Sequence, residues 1–203
     1  MWDANIKRSC AYRAWANKQR GVAAVEFALL VLVFFSLVFG VLEIARMIYL
    51  FNTLQEVTRR AAVLAMNSPF DQNAQNDIRK KALFQDRNGN LILGTPITFE
   101  HLRLEYLSFS PDTEGDLALQ PVATLPADPA TNRINCLADP HAANCIRYIR
   151  VQVCDPASAA NCDRVPYQML FPLVDLSLLG LPRAQTVVPA QSLGYRPGDT
   201  PAL

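Results

Sequence analysis

Histidine is scarce in this 203-residue chain, with only His101 and His141. No glycine-rich phosphate loop, GxSxG elbow or HExxH pair occurs either. Acid pairs such as Glu114 and Asp116 fall in segments that read as solvated loop. No catalytic residue and no cofactor is expected, and the chain is not read as an enzyme. Beyond residue 20 no basic cluster supports nucleic-acid binding, and the remainder carries a net charge of −3. That argues against a nucleic-acid binder. Charge is also missing from one long run. From Val22 to Leu42 the chain reads VAAVEFALLVLVFFSLVFGVL, with Glu26 as its single ionisable residue.

What is present begins with that run. Twenty-one residues in a helix cover roughly 31 Å, the thickness of a bilayer's hydrocarbon core. Residues 1–20 hold Lys7, Arg8, Arg13, Lys18 and Arg20 against Asp3 alone. The positive-inside rule therefore puts the N-terminus in the cytoplasm and the larger C-terminal part across the membrane. A cleavable secretory signal would have a shorter apolar core and a small-x-small cleavage site. Here the run leads instead into Glu43, Ile44, Ala45, Arg46 and Met47.

Glu26 needs a reason, because a carboxylate inside a spanning segment costs up to about 3 kcal/mol on insertion scales. Near the cytoplasmic headgroups it could stay hydrated at little cost. Alternatively, cleavage after Gly21 would free an amine on Val22. That amine and a neighbouring subunit's Glu26 could then neutralise each other in an apolar helix bundle. Glycine suits the scissile position, because a protease must approach the backbone closely.

The stretch RGVAAVEFALLVLVF resembles a prepilin-like leader and helix. The following VLEIARMIYLFNTLQEVTRRAAVLA is similar to the TadE-like family of tight-adherence (Tad/Flp) pilus assembly proteins, with Glu43 and Arg46 forming the Glu-x-x-Arg exit. Near the far end, YQMLFPLVDLSLLGLPRAQTVVPAQS resembles the family's Phe-Pro apolar loop and closing strand. The resemblance implies Gly21 as the cleavage residue, Val22 as the mature N-terminus and Glu26 as the processing or assembly glutamate. Glu43 and Arg46 join Glu26 as assembly residues. It implies a minor pilin or pseudopilin-like component of pilus assembly or a related secretion machine, in a bacterial inner membrane with a periplasmic domain. The implied partners are a prepilin peptidase, other pilin-like or assembly subunits, and inner-membrane lipid. Two rivals are an uncleaved bitopic protein with a binding or scaffold domain, and an exported module released by ordinary signal peptidase.

The expected architecture is α+β. A leader (1–21) precedes a transmembrane helix (22–42), an amphipathic helical continuation (43–66), an extracytoplasmic domain (67–192) and a loose tail (193–203). Met47, Leu50, Leu54, Val57, Ala61 and Leu64 form a heptad-like stripe that would pack either on the chain's own domain or on a partner helix. Asn67, Ser68 and Pro69 give the stop. One helix from Val22 to Met66 would measure about 68 Å. A short helix is expected around Asp77 to Phe84, and a turn at Asp86–Asn90. That DRNGN run resembles a calcium-loop fragment but has its glycine misplaced. Strands are expected at Leu102–Phe109, Ile146–Val153 and Gln185–Val188, as a small antiparallel sheet. Pro111 to Pro140 reads as loop, and the apolar Leu170–Leu181 as a cover for the sheet or an exposed contact surface.

Cys10 sits alone in the basic tail, whereas Cys136, Cys145, Cys154 and Cys162 crowd together, which fits two disulfides in an oxidising compartment. If Cys145 to Cys154 is one strand, its ends lie about 30 Å apart and cannot pair. Cys136–Cys145 with Cys154–Cys162, or the crossed set Cys136–Cys154 with Cys145–Cys162, remain. The first closes two short loops (LADPHAAN and DPASAAN) and is preferred. Zinc held by His141 and these cysteines is the rival, and no metal site is expected.

Overall fold

In a computed structural model of the protein, residues 3–85, 89–158, 161–170, 180–191 and 193–194 are described, with side chains from Gly21 onward. The chain divides into two compact units, one holding the N-terminal stretch to Ala45 and the other beginning at Arg46.

The first helix, α1, spans Asp3–Met66. It therefore includes the basic leader, which the sequence set apart only by charge. Between Val22 and Met66 the one helix breaker is Gly40, and the rest is rich in leucine and alanine. The helix ends where expected. Asn67 and Ser68 turn their backbone N–H groups onto Leu64 and Ala65 carbonyls at 3.3 Å, and the Asn67 amide donates to Val63 O at 3.1 Å. These bonds satisfy carbonyls that a helix end would leave open.

The outer unit is built on the last third of that helix. Leu50, Leu54, Val57 and Ala61 are buried in a single core, as are Ala62 and Ala65, which let the backbone come close. The stripe therefore packs on the chain's own domain. A second helix, α2 (Gln72–Ala82), starts earlier than the sequence suggested. Asp71 caps it by accepting from Ala74 N–H at 3.2 Å, and Arg79, Lys80 and Lys81 oppose the dipole at its far end.

Four strands form one antiparallel sheet in the order β2-β1-β3-β4. They are β1 (Leu102–Pro111), β2 (Leu117–Pro121), β3 (Tyr148–Val153) and β4 (Gln185–Pro189). Side chains alternate between the two faces of the sheet along each strand. Leu102, Leu104 and Tyr106 on β1 stand opposite Val153, Val151 and Ile149 on β3, and all six are buried. On the other face Glu105 stands opposite Arg150, whose Nε donates to it at 2.7 Å, while Arg103 reaches the same carboxylate at 2.9 Å. The Thr58 hydroxyl meets that of Thr186 at 3.0 Å, tying α1 to β4.

The stretch from Pro111 to Pro140, expected as loop, is largely ordered. Asp112 Oδ1 accepts from Glu114 and Asp116 N–H, Gly115 takes φ +90°, and the chain reverses into β2. Further on, α3 spans Pro129–Ala138, with Asp128 capping Thr131 N–H at 2.7 Å and Pro129 in its first turn. Cys136 therefore leaves from a helix rather than from a loop. The disulfides are Cys136–Cys145 and Cys154–Cys162, the short-range set. The expected strand from Cys145 to Cys154 is shorter, because pairing with β1 begins only at Tyr148.

Part of the Asp86–Asn90 turn, the apolar stretch 171–179 and most of the tail lie outside the described residues. Gly89, within the turn, has φ +80°, a conformation glycine takes without strain.

Candidate functional site

Two places in α1 gather the residues that the sequence singled out. The first is Gly21 to Leu42. Every side chain from Gly21 to Leu30 is exposed, including Val22 and Glu26. Apolar exposure is extreme: Phe27 is 69%, Leu30 70% and Leu37 67% exposed. Soluble monomers rarely leave such a surface to water, and the segment Gly21–Met66 is long and apolar enough to cross a membrane. Ser36 returns its hydroxyl to Leu32 O at 2.8 Å, so its polar group is satisfied within the helix.

Gly21 lies inside continuous helix. A Cβ placed there, or at Gly40, would meet nothing within 4 Å among the described residues. The packing seen here gives no reason for glycine, although glycine costs a helix about 1 kcal/mol relative to alanine.

The second place is the exit. Glu43 and Arg46, one turn apart, are both buried, at 6% and 8% exposure. Arg46 makes several contacts within its own unit. Its Nε donates to Leu93 O at 2.8 Å and one terminal nitrogen to Gln168 O at 2.6 Å. That nitrogen also lies 3.3 Å from the Tyr167 hydroxyl, and the guanidinium sits over the Tyr167 ring at 5.3 Å. The other terminal nitrogen reaches Thr95 O at 3.5 Å. A planar fork with several donors suits this task, since three carbonyls from two distant loops converge on it. The sequence marked Arg46 as an exit residue but could not show its acceptors, which lie 47 to 122 residues away.

The remaining candidates are structural in their surroundings. Asn132 bridges α3 to the chain before β3, accepting from Ile146 N–H at 2.8 Å and donating to Ile146 O at 3.2 Å. His101 is buried, and its Nδ1 accepts from Thr98 N–H at 3.1 Å. Burial lowers its pKa, against the opposing pull of Asp155 and Glu100. His141 Nδ1 lies 3.0 Å from Phe109 O. A cavity of about 440 Å³ is lined by Asn76, Arg79, Phe99, Glu100, Arg103 and Asp155 among others, with charges of both signs. No group of three metal-ligating side chains occurs among the described residues.

A bare apolar helix leading into a small disulfide-bonded α+β domain defines a chain compatible with membrane anchoring. The model of the TadE-like protein family matches residues 21–63, beginning at Gly21 itself and staying within α1. The resemblance read from those residues is thereby shown, and it suggests a component related to the Tad pilus. No curated protein and no solved structure matches the chain.

Proposed function

We propose that this protein is a minor pilin or pseudopilin-like subunit of a tight-adherence pilus or a related secretion machine. It is held in a bacterial inner membrane with its N-terminus in the cytoplasm and its disulfide-bonded domain in the periplasm. A prepilin peptidase removes the basic leader after Gly21, Val22 becomes the first residue, and Glu26 guides entry into a bundle of similar helices. The supporting observation is the helix from Gly21 to Leu42, which is apolar, exposed along most of its length and interrupted by one carboxylate.

In that bundle Glu26 would otherwise be a buried charge, and a buried charge without a partner costs several kcal/mol. The α-amine freed at Val22, four residues earlier, supplies the opposite sign at the depth where the carboxylate sits. Glycine at the scissile position is accounted for by the peptidase, which needs a slim and easily unwound backbone. Glu43 and Arg46, at the end of the span, contribute to assembly.

Mass spectrometry of the protein from its native host tests the processing step. The expected mature chain begins at Val22; an intact Met1 or Trp2 terminus while pili are being made overturns it. The uncleaved bitopic alternative predicts that intact terminus, together with a soluble-facing domain that never enters a filament.

A further inference from the structure

Within the unit that begins at Arg46, the cavity of about 440 Å³ lies where three pieces of chain meet. They are α2, a single helical turn at Phe99–His101 just before β1, and the loop that follows β3. Its volume falls in the range of small-molecule sites and is many times what one water fills. The loop after β3 is tied at several points. The Cys154–Cys162 disulfide closes it, and Asp155 N–H donates to Asp163 O at 3.0 Å. Ser158 bonds back to Asp155 O through its N–H at 3.1 Å and its hydroxyl at 3.0 Å. A wall held this way is formed before any ligand arrives.

Two cations line the cavity, Arg79 and Arg103. Arg103 is answered by Glu105 at 2.9 Å, a carboxylate that Arg150 shares. Arg79 is answered by no acid among the described residues. Its side chain makes one hydrogen bond, from a terminal nitrogen to Asn76 Oδ1 at 3.1 Å. Its Nε is buried without an acceptor, and the Tyr106 hydroxyl is buried without a partner too. Burial lowers the Arg79 pKa, and the opposing pull comes from Tyr106 rather than from a carboxylate. A partly desolvated guanidinium with unused donors calls for an anionic acceptor.

The acids of the wall lie apart from it. Glu100 and Asp155 both act on His101, raising its pKa against the effect of burial, and neither acts on Arg79. Asp155 Oδ1 accepts from Ala157 N–H at 2.9 Å, while Glu100 is exposed at the rim. The cavity therefore has a positive end at α2 and a negative end beside His101. Phe99, Leu102 and Pro156 add apolar surface to the same wall.

We propose that this cavity binds a small zwitterion, an α-amino acid with an apolar side chain. The ligand's carboxylate meets Arg79 and Asn76, its ammonium group meets Asp155 and Glu100, and its side chain lies on Phe99 and Leu102. A simple anion would be repelled by the two acids, and a simple cation would leave Arg79 unanswered. The site lies wholly within one compact unit and does not depend on cleavage after Gly21.

Isothermal titration calorimetry of folded full-length protein in detergent tests this, with leucine, methionine and phenylalanine as probes. At least one of them should bind saturably. Its N-acetyl and its carboxamide derivatives should each bind about tenfold or more weakly, since each lacks one charge. Arg79→Gln should weaken the amino acid by a similar factor and leave the carboxamide unchanged. Glu100→Gln combined with Asp155→Asn should weaken the amino acid and leave the N-acetyl derivative unchanged. Should circular dichroism show that Arg79→Gln does not fold, the acid pair decides alone. No saturable binding of any probe overturns the site. Equal affinity for the N-acetyl derivative makes it a plain anion site, and unchanged affinity in the folded variants puts binding elsewhere; either result overturns the proposal.

Discussion

Arg46 shows how a single side chain can be recognised and still be misjudged in its surroundings. Its place after an apolar run was legible, but its carbonyl acceptors were not, because Leu93, Thr95 and Gln168 carry no signal of polarity at their backbones. Arg46→Gln should destabilise the outer unit by about 2–4 kcal/mol, since each buried carbonyl left open costs about 1–3 kcal/mol and glutamine reaches only some of them. Denaturant unfolding of the full chain in detergent measures this, and a loss under about 1 kcal/mol would mean that water replaces the guanidinium. Gly21 and Glu26 behave differently, because the described residues of their own chain ask nothing of them. Under the proposed processing, Gly21→Leu should leave the leader in place, seen as the mass of the uncleaved chain. Glu26→Ala should still insert in the membrane while pilus assembly falls; unaltered assembly would remove Glu26 from the mechanism.

Among the elements, α1 was the easiest to read and α3 and β2 the hardest. The three- and four-residue spacing from Met47 to Leu64 predicted which face turns inward, and Leu50, Leu54, Val57 and Ala61 are indeed buried. Whether that face met its own domain or a partner was not legible, because an apolar stripe does not name what covers it. Local signals for α3 were present in Asp128 and Pro129, but the helix is short and holds Thr131, Asn132 and Asn135, which favour other conformations. Asn132 is there for its two bonds to Ile146, a relation that only the tertiary structure reveals. β2 has both leucines, Leu117 and Leu119, substantially exposed and exists by pairing with β1 across a tight turn. The close approach of α1 gives a sharp contrast: Ala61→Leu should cost about 1–3 kcal/mol through overpacking. Val63→Ala, on the exposed side of the same helix, should change stability by less than about 0.5 kcal/mol. Equal losses in thermal unfolding would show that the helix does not pack as described.

At the scale of the whole molecule, two disulfides and one buried histidine set the conditions for stability. Each disulfide closes a loop of about ten residues, worth roughly 2–3 kcal/mol by restricting the unfolded chain. Both replaced by serine pairs should therefore lower the denaturant midpoint strongly, and an unchanged midpoint would refute the crosslinks. For His101, burial lowers the pKa from an ordinary value near 6.5. The unfolded chain takes up the proton first as pH falls, so stability is full above about 6.5 and declines below it. Unfolding followed from pH 7.5 to 5 should show this slope, and His101→Gln should flatten it.

The bond between Thr58 and Thr186 joins places 128 residues apart, and the core also needs Ala184, Ala190 and Leu193. Synthesis delivers the helix first and these residues last. At about 5–20 residues per second, the greasy side of Leu50, Leu54 and Val57 waits roughly 7–30 s for its cover. The newborn polypeptide thus spends that interval needing a caretaker such as a chaperone.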